Sequence, residues 1–537
     1  MDGGSSYLAI RVRELYSGDQ EMLYRKMSST SRRKSTATVM TMALAVAGTG
    51  MWGEARAHDG TDHDALGLVE FDTSCGEEAQ AKFERGLLLL HHMMYTPSAE
   101  AFQEASNAQP DCAMAQWGLA MSSFHPLWPG GPTELEVARG NAAAARLRVM
   151  TPQTPREAAY IDAVLAFFDG DETPYPQRLS AWAASQRSVD DQFPDDIDAA
   201  AFDALAQMTM ASRASDATRE IADAGARLEA LYVEMPDHPG IIHYAIHAYD
   251  HPALTKKGLR FAQDYDRIAP EVAHALHMPS HIFVRLGRWQ EAAEWNDRSA
   301  AAALKHSTGD AVSNHYPHAM DYGIYARLQL GESQKAEEML EEFLSTENIE
   351  DAFGSAYALA SAPARIPLEQ ENWARAAALP TDIDAGITWD RFPQTVGIRW
   401  FAKGIGAARA GDRETAATAL SELSVLRETL VARDLGYWVT LLDAQSTAVE
   451  AWLAYADGDE ANAVATMREA ADLEDSVGKS PVTPSAVLPV RELLGDLLME
   501  TGDAAGALEA YEAALRISPN RRRSVAGAEA ARAAQGQ

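Results

Sequence analysis

A chain of 537 residues with 46 Lys/Arg against 78 Asp/Glu carries a formal net charge of −32, a surface that repels phosphate backbones and so excludes nucleic acid as a partner. Its two cysteines, Cys75 and Cys112, exclude a four-cysteine zinc site. From Glu77 onward, Ala- and Glu-rich stretches run without strand alternation or a Pro/Gly/Ser linker, so the predicted class is all-α in one extended architecture.

At the N-terminal end, Arg32, Arg33 and Lys34 precede an apolar stretch at 39–51 and then Ala55-Arg56-Ala57, the layout of a signal peptide. Its apolar core is too short to span a membrane, and Met27 stands at the natural distance for a start. Arg32-Arg33 also suits a twin-arginine signal, but Lys34-Ser35-Thr36 follows where apolar residues are needed, which favours general secretion. Residues 1–57 are thus expected to be a targeting segment and 58–76 a tail, with the protein periplasmic or secreted and no integral membrane segment in the mature chain. Residues 1–57 hold 8 of the basic and 5 of the acidic residues, leaving 38 against 73 and a net charge of −35. In an oxidising compartment Cys75 and Cys112 are expected to pair, because the helix pair between them brings its ends together; two free thiols are the alternative.

Next come repeats. In a 34-residue unit, 79–112 places Gly86 at position 8, Phe102 at 24, Ala105 at 27 and Pro110 at 32. After Ala113 a first helix persists, but Pro126 and Trp128-Pro129-Gly130-Gly131-Pro132 break its turn, and the period is lost until about residue 205. Pro236 and Pro270, 34 apart, define units 205–238, 239–272 and 273–306, the last with Gly287 and Ala292. Unit 317–350 carries Gly331 and Ala336; Gly411 with Ala416 and Gly458 with Ala463 mark degenerate pairs. Unit 488–521 repeats the match with Ala507, Tyr511, Ala514 and Pro519. The pattern resembles the tetratricopeptide repeat and implies an α-solenoid, a right-handed superhelix of helix pairs, with an N-terminal part at 77–350 and a C-terminal part at 351–537. Repeats of this type imply a protein or peptide ligand.

The 15 histidines all lie at or before His318, and ten fall between His238 and His318. His243 and His247 take positions 5 and 9 of their unit; His274, His277 and His281 take 2, 5 and 9 of the next; His318, Asp321 and Tyr325 take 2, 5 and 9 of the third. At roughly 100° per residue these positions point away from the packing side of the first helix. In tetratricopeptide proteins, which the pattern resembles, that face lines the concave groove, and neighbouring helices lie about 8 to 10 Å apart, close enough for imidazoles to share an ion. Pairs spaced i, i+4 suit zinc, copper, nickel or iron. The candidate metal ligands are therefore His243, His247, His274, His277, His281 and His318, with Asp250, Asp321, Tyr325 and Glu271 as additional groups and copper or zinc as the expected ion. Pro279 sits between His277 and His281 and is expected to disturb the helix there. His58, exposed as a new N-terminus after cleavage at Ala57, is a weaker copper(II) chelator candidate. His91-His92 with Tyr95, and His125-Pro126-Leu127-Trp128, are read as helix ends packing a turn, with contact with the groove as the alternative.

Neither pair is His-Glu-x-x-His, so a metalloprotease lacks its general base. There is no Gly-x-Ser-x-Gly elbow or dinucleotide fingerprint, Gly478-Lys479-Ser480 lacks the upstream glycine of a phosphate loop, and no catalytic residue is assigned. The stretches 111–121, 238–248 and 277–282 resemble a family of secreted bacterial tetratricopeptide-repeat proteins, over about 71–330. That resemblance implies the fold and export. Two functions stay open: a metal-binding protein with storage, delivery, redox or hydrolytic use, and a metal-free scaffold for a peptide or envelope partner.

Overall fold

The computed structural model describes residues 65–536 except 129–130, 171–172, 212–216, 306–309, 384 and 481. The expected targeting segment, Met27 and His58 lie outside the described residues. The later part of the expected tail is instead core: Leu66, Val69 and Phe71 are buried, and Phe71 packs on Phe83 and Trp117.

Twenty-four α-helices follow, and among the described residues there is no strand, only an isolated bridge between Val312 and Ile349. They are α1 (Glu77–His91), α2 (Tyr95–Ala108), α3 (Ala113–Met121), α4 (Glu134–Leu147), α5 (Pro155–Phe167), α6 (Tyr175–Gln192), α7 (Ile197–Ala211) and α8 (Ala217–Glu234). Next are α9 (Pro239–Tyr249), α10 (Thr255–Ile268), α11 (Ala273–His277), α12 (Pro279–Arg285), α13 (Trp289–Ala303), α14 (His315–Gln329), α15 (Ser333–Leu344) and α16 (Phe353–Glu369). The last are α17 (Trp373–Ala377), α18 (Pro393–Ala410), α19 (Arg413–Ala432), α20 (Gly436–Ala456), α21 (Glu460–Val477), α22 (Val490–Glu500), α23 (Ala504–Ile517) and α24 (Arg522–Ala534).

Consecutive helices pair as hairpins, and most first helices also touch the first helix of the next hairpin, as α7 with α9, α14 with α16 and α18 with α20. This is the all-α solenoid the 34-residue period predicted. Local chemistry sets the turns. Gly411, Gly458 and Gly502 take left-handed φ of 80°, 81° and 83°, and the following Asp412, Asp459 and Asp503 cap α19, α21 and α23 by accepting from the backbone three residues on. Position 8 must be small because position 24 fills it: a Cβ on Gly86 would stand 2.8 Å from the Phe102 ring, and one on Gly495 would stand 2.6 Å from Tyr511.

The segment where the period vanishes is still built of hairpins, α3 with α4 and α5 with α6. The break is a 12-residue connection from Ser122 to Thr133, closed by a capping box of Thr133 and Glu136. Cys75 and Cys112 are disulfide-bonded, joining the two ends of the first hairpin.

The C-terminal third does not continue outward as more of the same solenoid. Trp289 Nε1 donates to Asn520 O at 2.9 Å, and Asn520 Nδ2 donates to Gly287 O at 3.2 Å. Arg521, fully buried, donates to Tyr325 Oη at 3.1 Å and pairs with Glu492 and Glu369. Arg365 reaches from α16 to the carbonyls of Ser485 and Ala486, both at 3.2 Å. Arg365 thus holds the connection between α21 and α22 to α16, Lys479 of the same connection reaches Asp250 at the end of α9 at 3.4 Å, and Asn520 and Arg521 hold the connection between α23 and α24 to the start of α13 and to α14.

Candidate metal centre

The first helices α9, α11, α12 and α14 bring six histidines into one continuous cluster. His243, His247 and His274 form one group, and His277, His281 and His318 a second; within each, one ligand nitrogen per ring lies within 4.8 Å of the others. All six sequence-predicted histidines are therefore brought together. Pro279 does break the helix, but at a single residue: Met278 keeps helical angles (φ −52°, ψ −39°), so α11 and α12 stay aligned and His277 still faces His281.

The expectation of an open groove is corrected. His243, His274, His277, His281 and His318 are buried and His247 half-buried, because Val477, Gly478, Lys479 and Val482 lie across the strip and share with it a cavity of about 560 Å³. Pro126, Leu127 and Trp128 line the same cavity, with the Trp128 ring 5.7 Å from that of His274. The broken turn at 126–128 thus belongs to the site, and is more than packing.

Hydrogen bonds fix which nitrogen of each ring is bare. His243 Nδ1 donates to the carbonyl of His91 at 2.6 Å. His277 Nδ1 donates to Asn296 Oδ1 at 2.8 Å; the amide is oriented because its nitrogen donates to Ala292 O and Ser280 Oγ, both at 2.6 Å. His281 Nδ1 donates to Asp250 Oδ2 at 3.1 Å. Three Nε2 atoms are thereby left without hydrogen. Yet His277 Nε2 and His281 Nε2 stand 3.0 Å apart, and His243 Nε2 stands 3.1 Å from His247 Nε2. In the His243–His247 pair His247 can supply a proton; in the His277–His281 pair, with both rings neutral, two lone pairs face each other, and a cation between them would satisfy both. Burial, then the neighbouring imidazoles, hold His277 well below the usual histidine range, and burial also lowers His281 despite Asp250, which favours the neutral rings. Nitrogens about 2.0–2.1 Å from one ion lie roughly 2.9–3.4 Å from each other, which matches both pairs.

His274 adds a second signal. Both of its ring nitrogens are buried without a hydrogen-bond partner among the described residues, an arrangement that costs about 1–3 kcal/mol per atom if nothing binds there. Burial and the surrounding imidazoles of His315, His243 and His277 hold it well below the ordinary value. Burial first, then His281, takes His247 down to about 3. At neutral pH the cluster is a set of neutral imidazoles, the form that ligates metal.

Other charged groups sort clearly. Asp250 receives His281, Arg285 and Lys479, the last at 3.4 Å; burial alone would raise its carboxyl, but the two cations pull it below the usual range. Burial brings Lys479 down to about 8. Asp250 thus orients a ligand from behind. Asp321 and Tyr325 do not join the cluster: Asp321 is held by Arg365 and Ser361 at 2.9 Å each, and the Tyr325 hydroxyl accepts from Arg521. Positions 5 and 9 of that unit face the returning C-terminal third rather than the histidines. Glu271 pairs with Lys305 at 3.6 Å on the surface. Sequence reasoning missed His315, whose ring lies 4.9 Å from His274 and whose Nδ1 is buried without a partner among the described residues; its only signal was sitting three residues before His318. Arg285, Lys479 and Asn296 gave no spacing signal, being linked to the cluster only through the fold.

A third group provides an internal contrast. His91 Nε2 and His238 Nε2 both donate to Asp198 Oδ1, at 2.8 and 3.2 Å. His91 Nδ1 accepts from Tyr244 and His238 Nδ1 from Ile241 N. Every ring nitrogen is used, so this trio is a finished structural network with no lone pair to spare.

No family model matches this chain, and no curated protein does. Solved structures it is similar to include the APC/C hetero-tetramer Cut9-Hcn1 (11% identity, 85% of this chain and 97% of that one, TM-score 0.29) and the TPR domain of P58(IPK) (14%, 86% and 98%, TM-score 0.21). Naa15/Naa10 bound to HypK-THB is a third (13%, 85% and 68%, TM-score 0.25). At such scores these likenesses carry no argument about ligand or partner.

Proposed function

We propose that this is an exported metal-binding repeat protein that holds two transition-metal ions, each on three imidazoles: His243, His247 and His274 for one, His277, His281 and His318 for the other. The observation that carries the reading is the pair of bare Nε2 atoms of His277 and His281 at 3.0 Å, each ring's Nδ1 being committed to an oxygen acceptor. All-nitrogen ligation without a carboxylate suits copper or zinc, and copper heads the affinity order for such sites. Export is supported by the 39–51 apolar stretch behind Arg32 to Lys34 and agrees with a Cys75–Cys112 bridge, which persists in oxidising compartments. The chain's own Val477 to Lys479 lines the cavity beside the histidines, which favours the metal reading over a peptide laid along that strip.

The test is elemental analysis of the purified chain after equilibrium dialysis against copper or zinc. Wild type is expected to retain about two ions per chain, and His243→Ala and His277→Ala about one each. Retention of no ion by wild type, or undiminished retention by both variants, would reject the assignment.

A further inference from the structure

The two trios do not face separate compartments. His247 and His274 from the first, and His281 and His318 from the second, line the same cavity of about 560 Å³. Ring centroids across the trios are 6.3 Å apart for His247 and His281 and 6.3 Å for His274 and His277, no longer than the 6.4 Å between His281 and His318 inside the second trio. Six rings thus form one shell rather than two.

Each ion would have three protein ligands and at least one open position, the arrangement of a reactive rather than a structural site. No carboxylate belongs to either trio among the described residues, so a group bridging the ions would come from the cavity. Its wall is apolar at Leu127, Trp128, Met208 and Ile221, while the charges of Arg285 and Lys479 are balanced by those of Asp250 and Asp475. An apolar, charge-balanced approach suits a small uncharged molecule.

We infer that the two trios form a coupled dicopper centre whose bridging position opens to this cavity and takes dioxygen. In the step itself each copper(I) gives one electron, dioxygen takes both and becomes peroxide bridging two copper(II) ions, the O–O bond is weakened without breaking, and no proton moves. This rests on the metal-binding reading above but demands more: the ions must act together.

The experiment separates the two. The full chain is titrated with copper(II) and its spin count measured by electron paramagnetic resonance, with sodium azide as an anionic bridging probe. The two-copper form is then reduced with dithionite, freed of reductant anaerobically and exposed to dioxygen. At one copper per chain the signal should account for all the metal; at two, with azide, it should fall at least several-fold below the copper present. The reduced form should take up one dioxygen per two copper ions. Two bound coppers that each keep a full signal with and without azide, or that take up no dioxygen, would overturn the dinuclear inference and leave the binding reading intact. Failure to bind copper would overturn both.

Discussion

The Nε2 atoms of His277 and His281 lie 3.0 Å apart with no hydrogen available to either, because Asn296 and Asp250 hold the opposite nitrogens. His91 and His238 also crowd together, with ring centroids 4.7 Å apart, but share Asp198 as acceptor. The difference between a ligand set and a structural histidine network is thus a matter of proton count rather than distance.

Asn296 carries a first prediction. Asn296→Ala removes the acceptor that fixes the His277 tautomer, so affinity at the second trio should drop about 10- to 100-fold while the first trio is unchanged. Competition against a chelator resolves the two sites. Equal losses at both would show that the amide acts through the fold at large.

Asp198→Ala should behave in the opposite way. Leaving His91 and His238 buried without their acceptor should cost about 3 kcal/mol of stability by denaturant unfolding, with metal stoichiometry untouched. A loss of bound metal without loss of stability would place Asp198 among the ligands instead.

Acid should destabilise the metal-free protein before the carboxylates titrate. Burial holds His91 at about 4 and His92 at about 3 against an ordinary value near 6.5. Below about 6.5 the unfolded chain therefore binds protons that the native rings refuse, so the rings' contribution falls as the pH drops towards 4 to 3, at about 1.4 kcal/mol per unit per ring, while Glu474, whose carboxyl is raised by burial to about 8, adds an opposing contribution of one ring's size between about 8 and 4.5. The waning repulsion of the acidic surface acts in the opposite direction, so the series is best run at high salt, where that term is screened. A stability that rose between pH 7 and 5 under those conditions would contradict neutral buried rings.

Much of this was legible in the sequence, for identifiable reasons. Helix pairs, turns and histidine register are local periodic properties: Gly86 against Phe102, the Gly-Asp turns and the positions of His243, His247, His277 and His281 all repeat on a 34-residue ruler. Burial of the histidines was not legible, because Lys479 meets Asp250 across 229 residues and Arg365 meets Ser485 across 120, contacts that leave no period. For the same reason Asp321 and Tyr325 have the right register and the wrong neighbours.

Reduction of the disulfide should matter even though it lies far from the metal ligands in sequence. With Cys75 and Cys112 separated by 37 positions in sequence, loop-closure entropy gives about 4 kcal/mol, so Cys112→Ala should lower the unfolding midpoint while metal content stays the same. An unaltered midpoint would mean that the first hairpin contributes no cooperative stability.

Gly287 is where the C-terminal third docks. Its φ is +64°, and a Cβ there would collide with the backbone of Pro519. Gly287→Ala should destabilise by about 1–3 kcal/mol and open the cavity to solvent, read as faster hydrogen exchange at 475–480. Exchange unchanged there would detach the docking contact from the cover over the histidines.

X-ray absorption at the copper edge of the loaded full chain addresses the ligand set itself. The expected spectrum has a first shell of nitrogen at about 2.0 Å with imidazole outer-shell scattering equivalent to three rings per ion, lost in a combined His247→Ala/His281→Ala variant in proportion. A shell dominated by oxygen, or by one ring per copper, would contradict it.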